Sequence, residues 1–340
     1  MISISILVVV ATFSLSLIVT GMMRRYALQH NFLDVPNSRS SHAFPTPRGG
    51  GVAIVVAFFA TVILLAFFGR MDIRVLGALL IGGGITALIG FLDDRRPQPA
   101  GVRFLVHLAA AVCAVLLIGG IPKHTLDHWG LHGAWIGGLL AIMALVWVTN
   151  LYNFMDGIDG LAAGEAVFIL GAGGVLNWRY GGDFDLTVAM LCLAAASLGF
   201  LRWNWPPARI FMGDVGSGFL GFSLTALGLA ASQKAAFPIE VWVILGGVFF
   251  VDATLTLFMR IVRGERWREA HRAHAYQHLA RRWKAHLPVT MLVIMIDVFW
   301  LLPLAILAAT FRPYAVWILT VALTPLGALA IACGAGTDEE

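Results

Sequence analysis

Apolar residues run along this chain in long unbroken stretches, without the alternation of a half-buried strand or the one-sided stripe of a surface helix. A window of about 19 residues marks eleven runs, at about 2–22, 50–69, 74–92, 102–121, 133–151, 160–178, 186–203, 217–231, 239–260, 289–309 and 314–334. The pattern predicts an all-α integral membrane protein of about eleven transmembrane helices, forming a single polytopic domain over 1–340. The first run has no basic residue before it and is too long for the apolar core of a signal peptide, so it reads as a retained span. The sixth and eighth runs are short and rich in glycine, which predicts broken or tilted helices there.

Composition agrees: 59% of the residues are hydrophobic, 12% are charged and the mean hydropathy is +0.84, which excludes an ordinary soluble domain. Cys113, Cys192 and Cys333 each sit inside an apolar run with no paired spacing, and read as small core residues. Of the 23 lysines and arginines, seventeen fall in the loops after odd-numbered runs and six on the other side. By the positive-inside rule the N-terminus is periplasmic, the C-terminus cytoplasmic, and the loops at 23–49, 93–101, 150–160, 204–216 and 261–288 are cytoplasmic.

Acids and histidines collect in those five loops. "GFLDDRRP" holds Asp93 and Asp94 at the end of an apolar run, where the partial negative charge of a helix C-terminus disfavours acids; a pair there suggests a cation, and a solvated helix end is the plain alternative. In "NFMDGIDGLA", Asn153, Asp156 and Asp159 share a helix face if the segment is helical, and are turn residues if the glycines are used for turning. Asp214 of "FMGDVGSG" is either a ligand or a helix N-cap. Gly49, Gly50 and Gly51, after Arg48, would let backbone approach a phosphate or let helices pack closely. In "HRAHAYQHLARRWK", His271, Arg272, His274 and His278 are candidate phosphate donors, whereas the arginines from Arg281 onward read as a membrane anchor. Hard oxygen donors suit Mg²⁺ or Mn²⁺, and arginine with histidine suits phosphate oxygens. The residues alone therefore indicate metal-assisted phosphoryl chemistry at a membrane surface.

In this order, "DVPNSRSSHAFPTPRGGG", "GFLDD", "NFMDGIDGLAAG", "FMGDVGSGFLG" and the histidine-arginine loop resemble the polyprenyl-phosphate N-acetylhexosamine-1-phosphate transferases. "HRAHAYQH" stands where the peptidoglycan enzyme of that family has three consecutive histidines, and resembles the initiators of O-antigen and related polysaccharides. The resemblance implies transfer of a sugar 1-phosphate from a UDP-N-acetylhexosamine to undecaprenyl phosphate in the bacterial inner membrane, with release of UMP. N-acetylglucosamine, N-acetylfucosamine and N-acetylquinovosamine all fit it, and a homodimer is compatible with it. It also implies Asp214 and Asn153 as ligands of Mg²⁺ or Mn²⁺, and Asp159 with Phe211, beside Asp156, as the uracil pocket. Asp93 or Asp94 would act on the lipid phosphate, and Arg272, His274 and His278, with His271, would clamp the diphosphate. Membrane lipid is an expected partner and nucleic acid is not. A transporter of anionic metabolites, or a scaffold that binds anionic lipid, are the readings from other classes.

Overall fold

The computed structural model describes residues 2–36, 44–234, 237–265 and 272–337. In chain order these form α1 (Ile2–Gln29), a two-residue antiparallel ladder of β1 (Leu33–Asp34) and β2 (Thr46–Pro47), α2 (Gly51–Phe67) and α3 (Ile73–Arg95). They continue as α4 (Ala100–Ile118), the short α5 (Lys123–His128), α6 (Ala134–Met155), α7 (Leu161–Arg179), α8 (Phe184–Asn204) and α9 (Asp214–Gln233). The last part holds α10 (Glu240–Leu245), α11 (Gly247–Val262), α12 (Ala275–Trp283), α13 (Leu287–Thr310) and α14 (Ala315–Ala332). The protein is an all-α integral membrane protein.

Among the described residues nine helices are long and apolar enough to cross a bilayer. Two of the eleven predicted runs fall outside that set. α2 has 17 residues, and the run at 239–260 is interrupted at Gly246, between α10 and α11. The glycine-rich sixth and eighth runs, predicted to be broken, are the continuous helices α7 and α9 of 19 and 20 residues. Their glycines serve close packing instead: a Cβ at Gly221 of α9 would lie 2.6 Å from the Val148 carbonyl of α6. Helix irregularity falls elsewhere, in π-helical turns at Ala78–Gly83 of α3 and Asp297–Leu301 of α13. In α13 the wide turn lies just before Pro303, which has no N–H to donate to the preceding turn.

α9 is the axis of the bundle. Its membrane window is 94% buried, against 17% for α1 and 28% for α13 and α14, and it packs on α2, α3, α6, α7 and α8. Several hydroxyls inside the helices are satisfied locally: Thr149 and Thr225 donate to the carbonyls of Leu145 and Gly221, one turn back. The axis begins at Asp214, so the bundle's most enclosed helix carries a candidate site residue at its first position.

Candidate functional site

Four segments meet around the start of α9. Gly50 and Gly51 donate their N–H groups to the carbonyls of Phe211 and Met212, and Phe211 N–H donates to Pro47 O. Gly50 and Gly51 therefore join two chain segments, as the close-packing alternative has it, and their own donors are spent on carbonyls. Gly213 has φ 76°, and a Cβ there would lie 2.5 Å from Asp94 Oδ2, so only glycine fits.

Asp94 lies at the end of α3, yet its carboxylate serves α9. Its Oδ1 accepts from Asp214 N–H at 2.9 Å, its Oδ2 accepts from Val215 N–H at 3.1 Å, and Arg48 Nη2 stands 2.7 Å from Oδ1. Asp94 thus caps α9 from another helix, at the positive end of the α9 dipole. Asp214 does not cap itself: Gly213 is the N-cap residue, and the Asp214 carboxylate lies between Arg48 at 3.6 Å and Arg103 at 3.5 Å. Arg103, from the first turn of α4, also holds Asp93 at 2.9 Å. Burial lowers the Arg48 pKa, but the charges of Asp94, Asp214, Asp34 and Asp93 outweigh it and hold the guanidinium above its usual range.

Asn153 is in the last turn of α6, and Asp156 and Asp159 lie beyond it in the non-helical segment 156–160, which ends at left-handed Gly160. The turn reading of this motif is the one observed. Asp156 has no hydrogen bond from its carboxyl among the described residues; enclosure, then the charges of Asp214 and Asp94, push its pKa well above the usual range. Asp159 faces a separate cleft of about 690 Å³, lined also by Phe44, Pro206, Phe211, Arg281, Lys284 and His286. Its Oδ2 accepts from Ala208 N–H at 2.9 Å and its Oδ1 meets His286 Nδ1 at 3.2 Å. Asn204 ties this cleft together, accepting from Gly160 N–H at 2.9 Å and donating to Ile210 O at 3.0 Å.

The histidine loop forms a third corner. Asp252 of α11 accepts from the N–H groups of Ala275 and Tyr276, both at 3.0 Å, and meets His274 Nδ1 at 3.2 Å. His274 and His278 are buried; His278 bonds the Thr337 carbonyl at 3.0 Å and Arg281 at 2.9 Å. Arg281 also donates to the Arg272 carbonyl at 3.1 Å. These bonds tie His274 to Asp252 and His278 to Thr337 and Arg281, and His271 lies outside the described residues. A link to α6 runs through Tyr276, whose hydroxyl donates to Phe154 O at 2.9 Å and rests where a Cβ on Gly157 would be.

Sequence reasoning passed over Arg103, His286, Lys284 and the role of Asp252, and read Arg281 as an anchor although it lines the cleft with Lys284. Arg103 had a signal, being the only basic residue in the first turns of α4 at the acid-bearing edge. Asp252 offered only its rarity as an acid inside an apolar run.

Four carboxyl groups at this edge, those of Asp93, Asp94, Asp156 and Asp214, stand with two guanidiniums, so oxygen donors outnumber the cations that pair with them. No preassembled trio of His, Cys, Asp or Glu ligands stands among the described residues. Mg²⁺ does not need one, since it usually keeps several waters and takes one or two carboxylates with substrate phosphates. The donor chemistry fits a hard divalent cation.

A multi-pass helical membrane protein with an acid-arginine cluster beside a cleft that holds Asp159, Arg281, Lys284 and His286 has the outline of a membrane enzyme of phosphoryl chemistry. The comparisons with known proteins give that outline a family. Residues 75–232 match the model for Glycosyl transferase family 4. The chain is 31% identical over 287 residues, 82% of it and 78% of the relative, to a probable undecaprenyl-phosphate N-acetylglucosaminyl 1-phosphate transferase of Bacillus subtilis. It is 35% identical over 246 residues, 67% of it and 73% of the relative, to a phospho-N-acetylmuramoyl-pentapeptide-transferase of Moorella thermoacetica. With a decaprenyl-phosphate N-acetylglucosaminephosphotransferase of Mycobacterium tuberculosis it shares 32% over 281 residues, 73% of it and 67% of the relative. The chain belongs to the polyprenyl-phosphate N-acetylhexosamine-1-phosphate transferase family and is a phosphoglycosyltransferase. The transporter and scaffold readings are set aside by that membership.

Proposed function

We propose that this protein transfers an N-acetylhexosamine 1-phosphate from a UDP-sugar to undecaprenyl phosphate at the cytoplasmic face of the bacterial inner membrane. The acceptor phosphate oxygen attacks the phosphorus that carries the sugar, the bond to the uridine-bearing phosphate breaks, and UMP leaves. The product opens a lipid-linked polysaccharide of the O-antigen type. The observation that carries this reading is the placement of Phe211 in the cleft and Asp214 in the acid-arginine cluster, three residues apart on one loop. That spacing lets one ligand put a base in the cleft and its phosphates against the cluster.

Phe211 offers a ring face to the base and Asp159, oriented by Ala208 N–H and His286, an acceptor. Arg48 and Arg103, seated on carboxylates, are the donors nearest to incoming phosphate oxygens, and can offset the repulsion between two phosphate anions. Asp94 is committed to two backbone N–H groups and positions Asp214. Asp93, held by the Gln98 N–H and the movable Arg103 side chain, is better placed to meet the acceptor phosphate. Asp214 and Asn153, with substrate phosphates, would hold Mg²⁺ or Mn²⁺, which when bound would neutralise charge on the diphosphate and on the departing UMP. Direct displacement is favoured over a phospho-aspartate, because the lipid phosphate is already a competent nucleophile.

Purified protein, undecaprenyl phosphate and Mg²⁺ should release UMP with at least one of UDP-N-acetylglucosamine, UDP-N-acetylfucosamine and UDP-N-acetylquinovosamine. Asp214→Asn should lose most of that release while staying folded. Failure with every donor under conditions where the protein is folded overturns the reading.

A further inference from the structure

Below the cleft, α7 and α13 run side by side in parallel. Thr290 Oγ1 donates to Asp159 O at 2.8 Å at the cleft end, Gly164 faces Ile294, and Tyr180 Oη meets Thr310 Oγ1 at 2.6 Å at the far end. Between these levels Glu165 of α7 and Asp297 of α13 act on each other across the seam, each 1% exposed. None of their four oxygens meets a hydrogen-bond donor among the described residues. An ionised carboxylate only accepts, so a bond between the two requires a proton on one of them. Tyr152 of α6 is the other titratable group close to the pair, and its hydroxyl is directed to Ala162 O at 3.1 Å. Among the described residues no basic side chain acts on either acid, so no salt bridge there offers another way to hold them.

The two helices begin at the cleft. Asp159 lies two residues before α7 and His286 immediately before α13, and their 3.2 Å contact forms one cleft wall. We propose that Glu165 and Asp297 share a proton and act as positioning residues, holding α7 against α13 and so fixing the Asp159–His286 wall. The consequence for donor binding rests on the nucleotide-cleft reading; the shared proton does not.

The test has two arms. Infrared spectroscopy of wild-type protein at neutral pH should show a protonated-carboxyl C=O band that Glu165→Gln/Asp297→Asn lacks. Absence of that band overturns the proposal whatever the enzyme's substrate. In kinetics, Asp297→Leu leaves Glu165 without a partner and should raise the donor KM about tenfold with kcat changed less than about threefold, and the double amide variant, which can still bond across the helices, should return KM to within about threefold of wild type. An unchanged KM in folded Asp297→Leu overturns the positioning role. So does a double amide variant whose KM stays as high as that of Asp297→Leu, and if Asp297→Leu does not fold, the double variant's KM decides alone. A wild type inactive with every UDP-sugar would instead refute the proposed function and leave the infrared result standing.

Discussion

Asp94→Asn separates a positioning carboxylate from a catalytic one. In the native protein the two oxygens accept from Asp214 N–H at 2.9 Å and Val215 N–H at 3.1 Å, and Oδ1 pairs with Arg48 at 2.7 Å. Asparagine retains one acceptor; its NH₂ must face either a backbone N–H or the guanidinium. A hydrogen bond to a charged group contributes about 1.5–3 kcal/mol, and a buried donor left unpaired costs about 1–3 kcal/mol. The change should therefore destabilise the first turn of α9 by about 3 kcal/mol, roughly a hundredfold in its local opening equilibrium. Asp93→Asn keeps an acceptor for Gln98 N–H and loses an ion pair to a partly exposed arginine, worth about 1 kcal/mol or less. Hydrogen exchange of the amides at 213–218, read by mass spectrometry, measures the difference. Faster exchange in Asp94→Asn only, with loss of activity in both variants, is expected. Equal protection of these amides in Asp94→Asn and wild type would refute the cap.

Phe211→Ala should raise the donor KM about tenfold, the worth of one stacked ring, with a smaller change in kcat. Excess EDTA should abolish turnover and added Mg²⁺ or Mn²⁺ restore it; full activity in chelator would remove the cation from the reaction. Gly157→Ala puts a methyl where the Tyr276 hydroxyl lies, and should undock α12, seen as increased proteolysis of the 272–284 segment together with lost activity. Asp156 has a raised folded-state pKa, so the apo protein favours its protonated form and loses that stability as pH rises from the usual carboxylate range to the raised value. Asp156→Asn should flatten this part of the stability–pH curve of metal-free protein; an unaltered curve would contradict the assignment.

Much of the site was legible because acids are costly at a membrane edge, which made Asp93, Asp94, Asp156, Asp159 and Asp214 conspicuous. Their individual roles were not, since each depends on a partner remote in sequence. Acids at the end of α3 suggest a cation, and sequence does not show that for Asp94 the N-terminus of α9, 120 residues on, supplies compensating charge together with Arg48. The glycines of the sixth and eighth runs suggested breaks, because sequence does not distinguish a glycine that bends a helix from one that admits a neighbour's carbonyl. His274 and His278 read as candidate phosphate donors, but a histidine on an amphipathic helix gives no sign of which acid it is buried against, here Asp252 for His274.

The enclosure of α9 bears on how the enzyme meets bilayers of different thickness. Hydrophobic mismatch acts through lipid contact, by tilting or shifting the helices that lipid touches. α1, α13 and α14 have that contact over most of their length, and α9 has almost none. Strain from a thicker or thinner membrane should be taken up by the outer helices, while Asp214, fixed to the inner one, keeps its depth. Where lipid composition does reach the chemistry, it should enter through α13, which touches lipid on one side and begins beside His286 in the cleft on the other.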